Sequence, residues 1–376
     1  MKRTRNGATS TMAVVSIAIV IAIIASFALY YNTYKGAGAE ASTKSSSNSA
    51  FIIGSGSSFI APQMQQWITL FTDQNPNIHV EYDSVGSGAG VAQFLEGVTS
   101  FAGTDPPLPK DKWEANQGKV VQMPVILGAV VISYNIPNLN KPLNLTGEII
   151  AQIYKGEITY WDDQKIAEIN PAVSLPHKPI IAIHRSDSSG TTNVFTLFLH
   201  KSAPTIWPVE LVGKTIEWPV DAKGNGVGGK GNEGVTSILK STPYSIGYIE
   251  LSYALTQNLP YAKIQNKAGK FVSPTSEAIQ AAAKGALSAL PDSPAGDFSN
   301  ALNAIIYSDN PNAYPITSFS FLVFWTKYPA SKADAVEAFI KFINTEGQQH
   351  IIKGYVRIPD EIVQLNLKAL DLIKSS

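Results

Sequence analysis

The residues best suited to chemistry stand together at His184-Arg185-Ser186-Asp187-Ser188-Ser189-Gly190-Thr191-Thr192. An apolar, β-leaning segment at 179–183 precedes them, and 193–199 follows with a pattern consistent with a helix. The order is strand, polar turn, helix. A helix start leaves backbone N–H groups without carbonyl partners, and glycine lets a ligand approach them closely. An arginine adds a charged fork that matches two oxygens of a tetrahedral oxyanion. The stretch is therefore either an anion site or a capped turn in which Arg185 pairs only with Asp187.

Other clusters offer less. The five histidines, His79, His177, His184, His200 and His350, show no metal-ligand spacing, so no metal site is expected. Ser189 and His184 lack a third partner, and no G-x-S-x-G elbow occurs, which argues against an enzyme. Gly54-Ser55-Gly56-Ser57-Ser58-Phe59 resembles a dinucleotide turn, but Phe59 takes the place of its third glycine. The glycine-rich segment 224–231 ends in Gly231 where a P-loop needs Ser or Thr, and reads as a surface loop. Asp105, followed by Pro106 and Pro107, reads from its turn alone as a solvated residue.

The elements that must position these groups alternate between β and α. A strand begins at 51, a helix over 61–71 turns Met64, Trp67, Ile68 and Phe71 inward, and a strand follows at 79–82. The next helix carries Val91, Phe94, Leu95 and Val98, with Ser87 as its N-cap. The apolar runs 123–132 and 316–324 match buried strands. Helices are expected over 146–154, 275–287 and 333–344, and Trp161-Asp162-Asp163 caps another that runs towards 170.

Composition narrows the class. The 376 residues are enough for two lobes, and 29 acidic against 29 basic side chains argue against a nucleic-acid partner. With no cysteine, disulfides and thiolate chemistry are excluded. Lys2, Arg3 and Arg5 precede an uncharged run from 6 to 34, whose core at 12–31 is long enough to cross a bilayer of roughly 30 Å. Residues 1–34 are expected to be an uncleaved anchor, with a cleaved signal segment as the alternative, and 35–50 a flexible tether. Either way the remainder is exported, where Asn144-Leu145-Thr146 would be a glycosylation sequon.

Taken in order, several motifs resemble the PstS family, the phosphate-binding proteins of phosphate-specific ABC importers. They are Gly54-Ser55-Gly56-Ser57-Ser58-Phe59-Ile60-Ala61-Pro62, Gly86-Ser87-Gly88-Ala89-Gly90-Val91 and Phe101-Ala102-Gly103-Thr104-Asp105-Pro106-Pro107-Leu108. Tyr154-Lys155-Gly156-Glu157-Ile158 with Trp161-Asp162-Asp163 comes next, then Arg185 to Thr191 and Gly228-Gly229-Lys230-Gly231-Asn232. Ser245-Ile246-Gly247-Tyr248-Ile249 and Tyr314-Pro315-Ile316-Thr317-Ser318 complete the series.

The resemblance implies an α/β, two-lobed periplasmic-binding-protein-like fold of type II, its hinge crossed by two strands near 123–134 and 314–325. Lobe I would combine 51–127 with 318–376, and lobe II would span 128–317. The implied phosphate ligands are Ser58, Phe59 (through its N–H), Ser87, Asp105, Arg185, Ser189, Gly190 and Thr191, with Asp187 holding the arginine. Two departures are mild: Ser58 keeps the hydroxyl of the more usual Thr, and Ile60 replaces a usual Pro. The implied protein is a monomeric, cofactor-free, extracytoplasmic receptor that delivers inorganic phosphate to a membrane permease. Asp105 suits an anion that still carries a proton, which argues against sulfate, molybdate or tungstate as the ligand. An exported phosphohydrolase remains the alternative of another class.

Overall fold

The computed structural model describes residues 49–139 and 141–375. The expected anchor at 1–34 and nearly all of the tether lie outside the described residues. Among the described residues no helix is long and apolar enough to cross a membrane.

The first half alternates strand and helix: β1 (Ala50–Gly56), α1 (Ala61–Gln74), β2 (Ile78–Ser84), α2 (Ser87–Leu95) and β3 (Phe101–Thr104), followed by the long strand β4 (Val120–Asn135). The middle contributes β5 (Ile181–Arg185), α3 (Gly190–Ser202), β6 (Gly226–Gly229), α4 (Gly231–Ser241) and β7 (Ser245–Glu250). The chain then passes through the helix α5 (Ser276–Ala286), returns along the strand β8 (Thr317–Trp325) and continues into α6 (Ala330–Asn344).

One eight-stranded sheet joins these in the order β2-β1-β3-β8-β4-β7-β5-β6. β4 holds it together. Its residues up to Ala129 pair antiparallel with β8, and from Val130 onward it pairs with β7 instead. Every residue of β4 before Asn135 is buried, as an uninterrupted apolar run predicts for a strand covered on both faces. β1, β2 and β3 run parallel on one side, and β5, β6 and β7 run parallel on the other. Parallel strands need helical crossovers, and these place helix starts beside strand ends.

Most expected elements form. The 61–71 pattern becomes α1, with Pro62 in its first turn and Met64, Trp67, Ile68 and Phe71 buried. Two expectations fail. Val98 is 65% exposed, because α2 stops at Leu95 and Gly97 turns the chain at φ +75°. The glycine-rich segment is not merely a loop: Gly226–Gly229 forms the edge strand β6 against β5. Its lack of side chains lets α4 pack close, since a Cβ on Gly229 would lie 2.7 Å from the Val235 nitrogen.

Candidate functional site

At the end of β5 the chain turns through Ser186-Asp187-Ser188 into α3. Ser189 is the N-cap, its hydroxyl oxygen accepting the Thr192 N–H at 3.0 Å. That geometry leaves the Ser189 O–H proton for a ligand. The N–H groups of Gly190 and Thr191 belong to the first turn, where no helical carbonyl reaches them.

Arg185 is 4% exposed and forms a two-pronged pair with Asp187, Nε to Oδ1 at 2.7 Å and Nη2 to Oδ2 at 2.5 Å. The remaining prong, Nη1, points to Thr191 Oγ1 at 3.4 Å. Burial would raise the Asp187 carboxyl, but the hydrogen bonds and charge of Arg185 and the Gly231 N–H hold it below the usual carboxylate range.

Asp105 stands opposite, at the end of β3. It is fully buried rather than solvated. The sheet explains this, since β3 lies between β1 and β8 and its end is covered from both sides. Its carboxylate accepts from Ser57 Oγ at 2.6 and 2.7 Å and from Ser320 Oγ at 3.0 Å, with Ser87 Oγ 3.4 Å away. Burial pushes its pKa up to about 6, against the hydroxyl hydrogen bonds and the charges of Arg185 and Lys214.

The two sides meet closely. A Cβ on Gly190 would lie 2.3 Å from Asp105 Oδ2 and 2.5 Å from Ser87 Oγ. The Gly88 N–H donates to the Ser188 carbonyl at 3.0 Å. Asn232, at the start of α4, donates through its N–H and Nδ2 to Ser58 Oγ, both at 3.0 Å, and through Nδ2 to Thr191 Oγ1 at 3.1 Å. Hydroxyls from distant parts of the chain are thus held by one amide.

The structure gathers Ser58, Ser87, Asp105, Arg185, Asp187, Gly190 and Thr191 through these contacts, with Ser189 beside them. One role differs from expectation. Ser87 is the first residue of α2 and not its N-cap, because Gly86 takes the cap at φ +90°, a conformation that favours glycine. The Phe59 N–H donates to Ser57 Oγ at 3.0 Å.

Sequence reasoning missed Ser57, Ser320, Asn232, Lys214 and Glu250. Ser57 and Asn232 sat inside quoted motifs, and Ser320 was a polar residue within an apolar strand. Lys214 carried no signal. Its carbonyl accepts the Ser189 N–H at 2.9 Å, and its Nζ reaches Thr104 Oγ1 at 3.3 Å.

Buried hydroxyls, a helix start and one arginine thus stand together around a buried carboxylate. The family described as the PBP superfamily domain matches residues 38–346. The phosphate-binding protein PstS of Methanocaldococcus jannaschii is 40% identical over 353 residues, 90% of each chain. That of Pasteurella multocida is 35% identical over 320 residues, 83% of this chain and 88% of the relative.

Solved structures share the fold. A high-affinity periplasmic phosphate-binding protein, PfluDING, bound with phosphate, aligns with a TM-score of 0.64 at 23% identity, covering 83% of this chain and 92% of that one. A phosphate ABC transporter substrate-binding protein from Clostridium perfringens with bound phosphate gives 0.58 at 20% identity, covering 82% of this chain and all (100%) of that one. The chain belongs to the PstS family of phosphate-binding proteins.

Proposed function

We propose that this chain captures inorganic phosphate between two lobes outside the cytoplasm and delivers it to an ABC importer. It is a substrate-binding transport protein and not an enzyme. Ser58, Ser87, Arg185, Ser189, Gly190, Thr191 and the Phe59 N–H supply donors, and Asp187 orients Arg185. Lobe I comprises 51–127 with 318–376 and lobe II 128–317. The change of partner along β4 between Ala129 and Val130 supports that division, with the hinge where β4 and the start of β8 cross. The N-terminal segment anchors a monomer at the membrane, and lobe closure is what the permease detects.

The observation that carries this reading is Asp105. A buried carboxylate held only by hydroxyls has room to accept one more proton. Phosphate near neutral pH brings one, whereas sulfate would set two acceptors face to face. With its pKa at about 6, Asp105 is mainly ionised at pH 7 and protonated at pH 5.

Calorimetric titration of the ligand-stripped full chain tests this. Phosphate is expected to bind at least about tenfold more tightly than sulfate at pH 7, the scale of one buried unpaired acceptor. The gap should narrow as pH falls through about 6. Equal binding of the two anions at pH 7 would remove the role of Asp105, and no binding of phosphate would remove the function.

A further inference from the structure

Lys214 lies in the irregular segment between α3 and β6, pinned at the N-cap of α3 by the hydrogen bond from Ser189 N–H to its carbonyl. Its side chain reaches across to Thr104, the last residue of β3 and the neighbour of Asp105. Thr104 Oγ1 gives its own proton to the Pro106 carbonyl at 2.8 Å, so towards Lys214 it acts as acceptor. An ammonium carries three donors, and among the described residues Thr104 Oγ1 is its one hydrogen-bond partner, at 3.3 Å.

The charge balance gives this placement a purpose. Arg185 is matched by Asp187, which leaves Asp105 without an ion-pair partner in contact. A doubly charged phosphate entering beside an ionised Asp105 would meet repulsion in a desolvated cleft. The charged group acting on Lys214 is Asp105, and Arg185 acts on the same carboxylate from β5.

We propose that Lys214 is the charge-balancing residue of the phosphate site, whose ammonium offsets Asp105 so that a doubly charged anion is accepted beside that carboxylate. This rests on the phosphate reading of the cleft. The bare contact with Thr104 could also be a latch between the two sides, so the test must separate charge from contact. Lys214→Gln keeps a donor without charge, and Lys214→Arg keeps the charge. Burial pulls the Lys214 pKa down to about 8, against the attraction of Asp105, so its charge is lost within an accessible pH range.

Phosphate affinity of the full chain and both variants would be measured by calorimetry from pH 7 to pH 9.5. Lys214→Gln is expected to bind roughly ten- to a hundredfold more weakly than the unaltered chain at pH 7, the order of one partly screened charge. Lys214→Arg should stay within a few-fold. The advantage of the unaltered chain over Lys214→Gln should shrink above about pH 8, while that of Lys214→Arg persists. Changes in the protonation of phosphate itself cancel in these ratios. Equal affinity of Lys214→Gln and the unaltered chain at pH 7, or Lys214→Arg binding as weakly as Lys214→Gln, would overturn the role of Lys214 and leave the phosphate reading intact. Absence of phosphate binding by the unaltered chain would overturn both.

Discussion

Two aspartates line this cleft, Asp105 fully buried and Asp187 partly so, and burial pushes both towards the neutral form. They end in opposite states. Asp187 grips Arg185 with both oxygens and takes the Gly231 N–H as well, so it stays ionised. Asp105 is held by Ser57 and Ser320, with Ser87 near, and its pKa rises to about 6. A bidentate ion pair uses up a carboxylate and fixes the plane of the guanidinium. Hydroxyls satisfy a carboxylate without neutralising it. One acid is therefore part of the scaffold for the positive side, and the other, on the function proposed above, is available to accept a proton from the ligand.

The comparison breaks most completely where the two sides touch. Gly190→Ala places a methyl group where Asp105 Oδ2 and Ser87 Oγ already stand, at 2.3 and 2.5 Å. Gly190 sits at the N-terminus of α3, so the substitution suits the helix and acts only through the clash. Overpacking costs about 1–3 kcal/mol, so the melting temperature of the ligand-free chain should fall by that equivalent, and phosphate affinity should fall roughly ten- to a hundredfold. Calorimetry and thermal unfolding check this together. Undiminished affinity would mean that the sides do not close on each other over Gly190.

A sharper cut converts the hydroxyl-held acid alone. Asp105→Asn keeps the shape, removes the charge and adds a donor. Sulfate affinity should rise, so that the phosphate-to-sulfate ratio at pH 7 falls by about tenfold or more, the scale of removing one unmatched buried acceptor. The pH dependence of that ratio near 6 should vanish with the carboxyl. Competition of sulfate against bound phosphate reads both effects, and an unchanged ratio would assign selectivity to other groups.

Much of this contrast was legible in the sequence. The arginine side is contiguous: Arg185, Asp187 and the Ser189 cap fall within one strand–turn–helix, so local rules describe it. The Asp105 side is assembled from afar. Ser320 reaches Asp105 across 215 residues of chain, and its polarity inside an apolar strand was its single sign. The turn chemistry of Asp105-Pro106-Pro107 argued for solvent, and the burial that overrules it comes from sheet order, which a one-dimensional pattern does not contain. Asn232 stood in a glycine motif whose strand character was hidden, because β6 is defined by backbone pairing and not by side chains. Lys214 lies in a segment with no period at all.

A third buried acid sharpens the comparison further, with the smallest expected effect on the ligand. Glu250, at the end of β7, has neither an arginine nor a set of hydroxyls on both oxygens. Its Oε2 takes the Ser252 N–H at 2.8 Å and contacts Ser252 Oγ, and its Oε1 has no hydrogen-bond partner. Burial pushes its pKa up to about 8. Ser252 Oγ donates to Glu250 Oε2 and lies 3.2 Å from Tyr355 Oη, which donates in turn to the Phe59 carbonyl. The folded value lies above the unfolded one, so the stability tied to this proton is full below about pH 4.5 and is lost as pH rises through about 8. Glu250→Gln mimics the neutral acid at every pH. It should melt close to the unaltered chain at pH 5 and above it at pH 8.5, by the equivalent of about 1–3 kcal/mol. A difference in melting temperature that does not vary with pH would show that Glu250 is ionised in the folded chain, and the series from ion-paired to hydroxyl-held to half-satisfied acid would lose its last member.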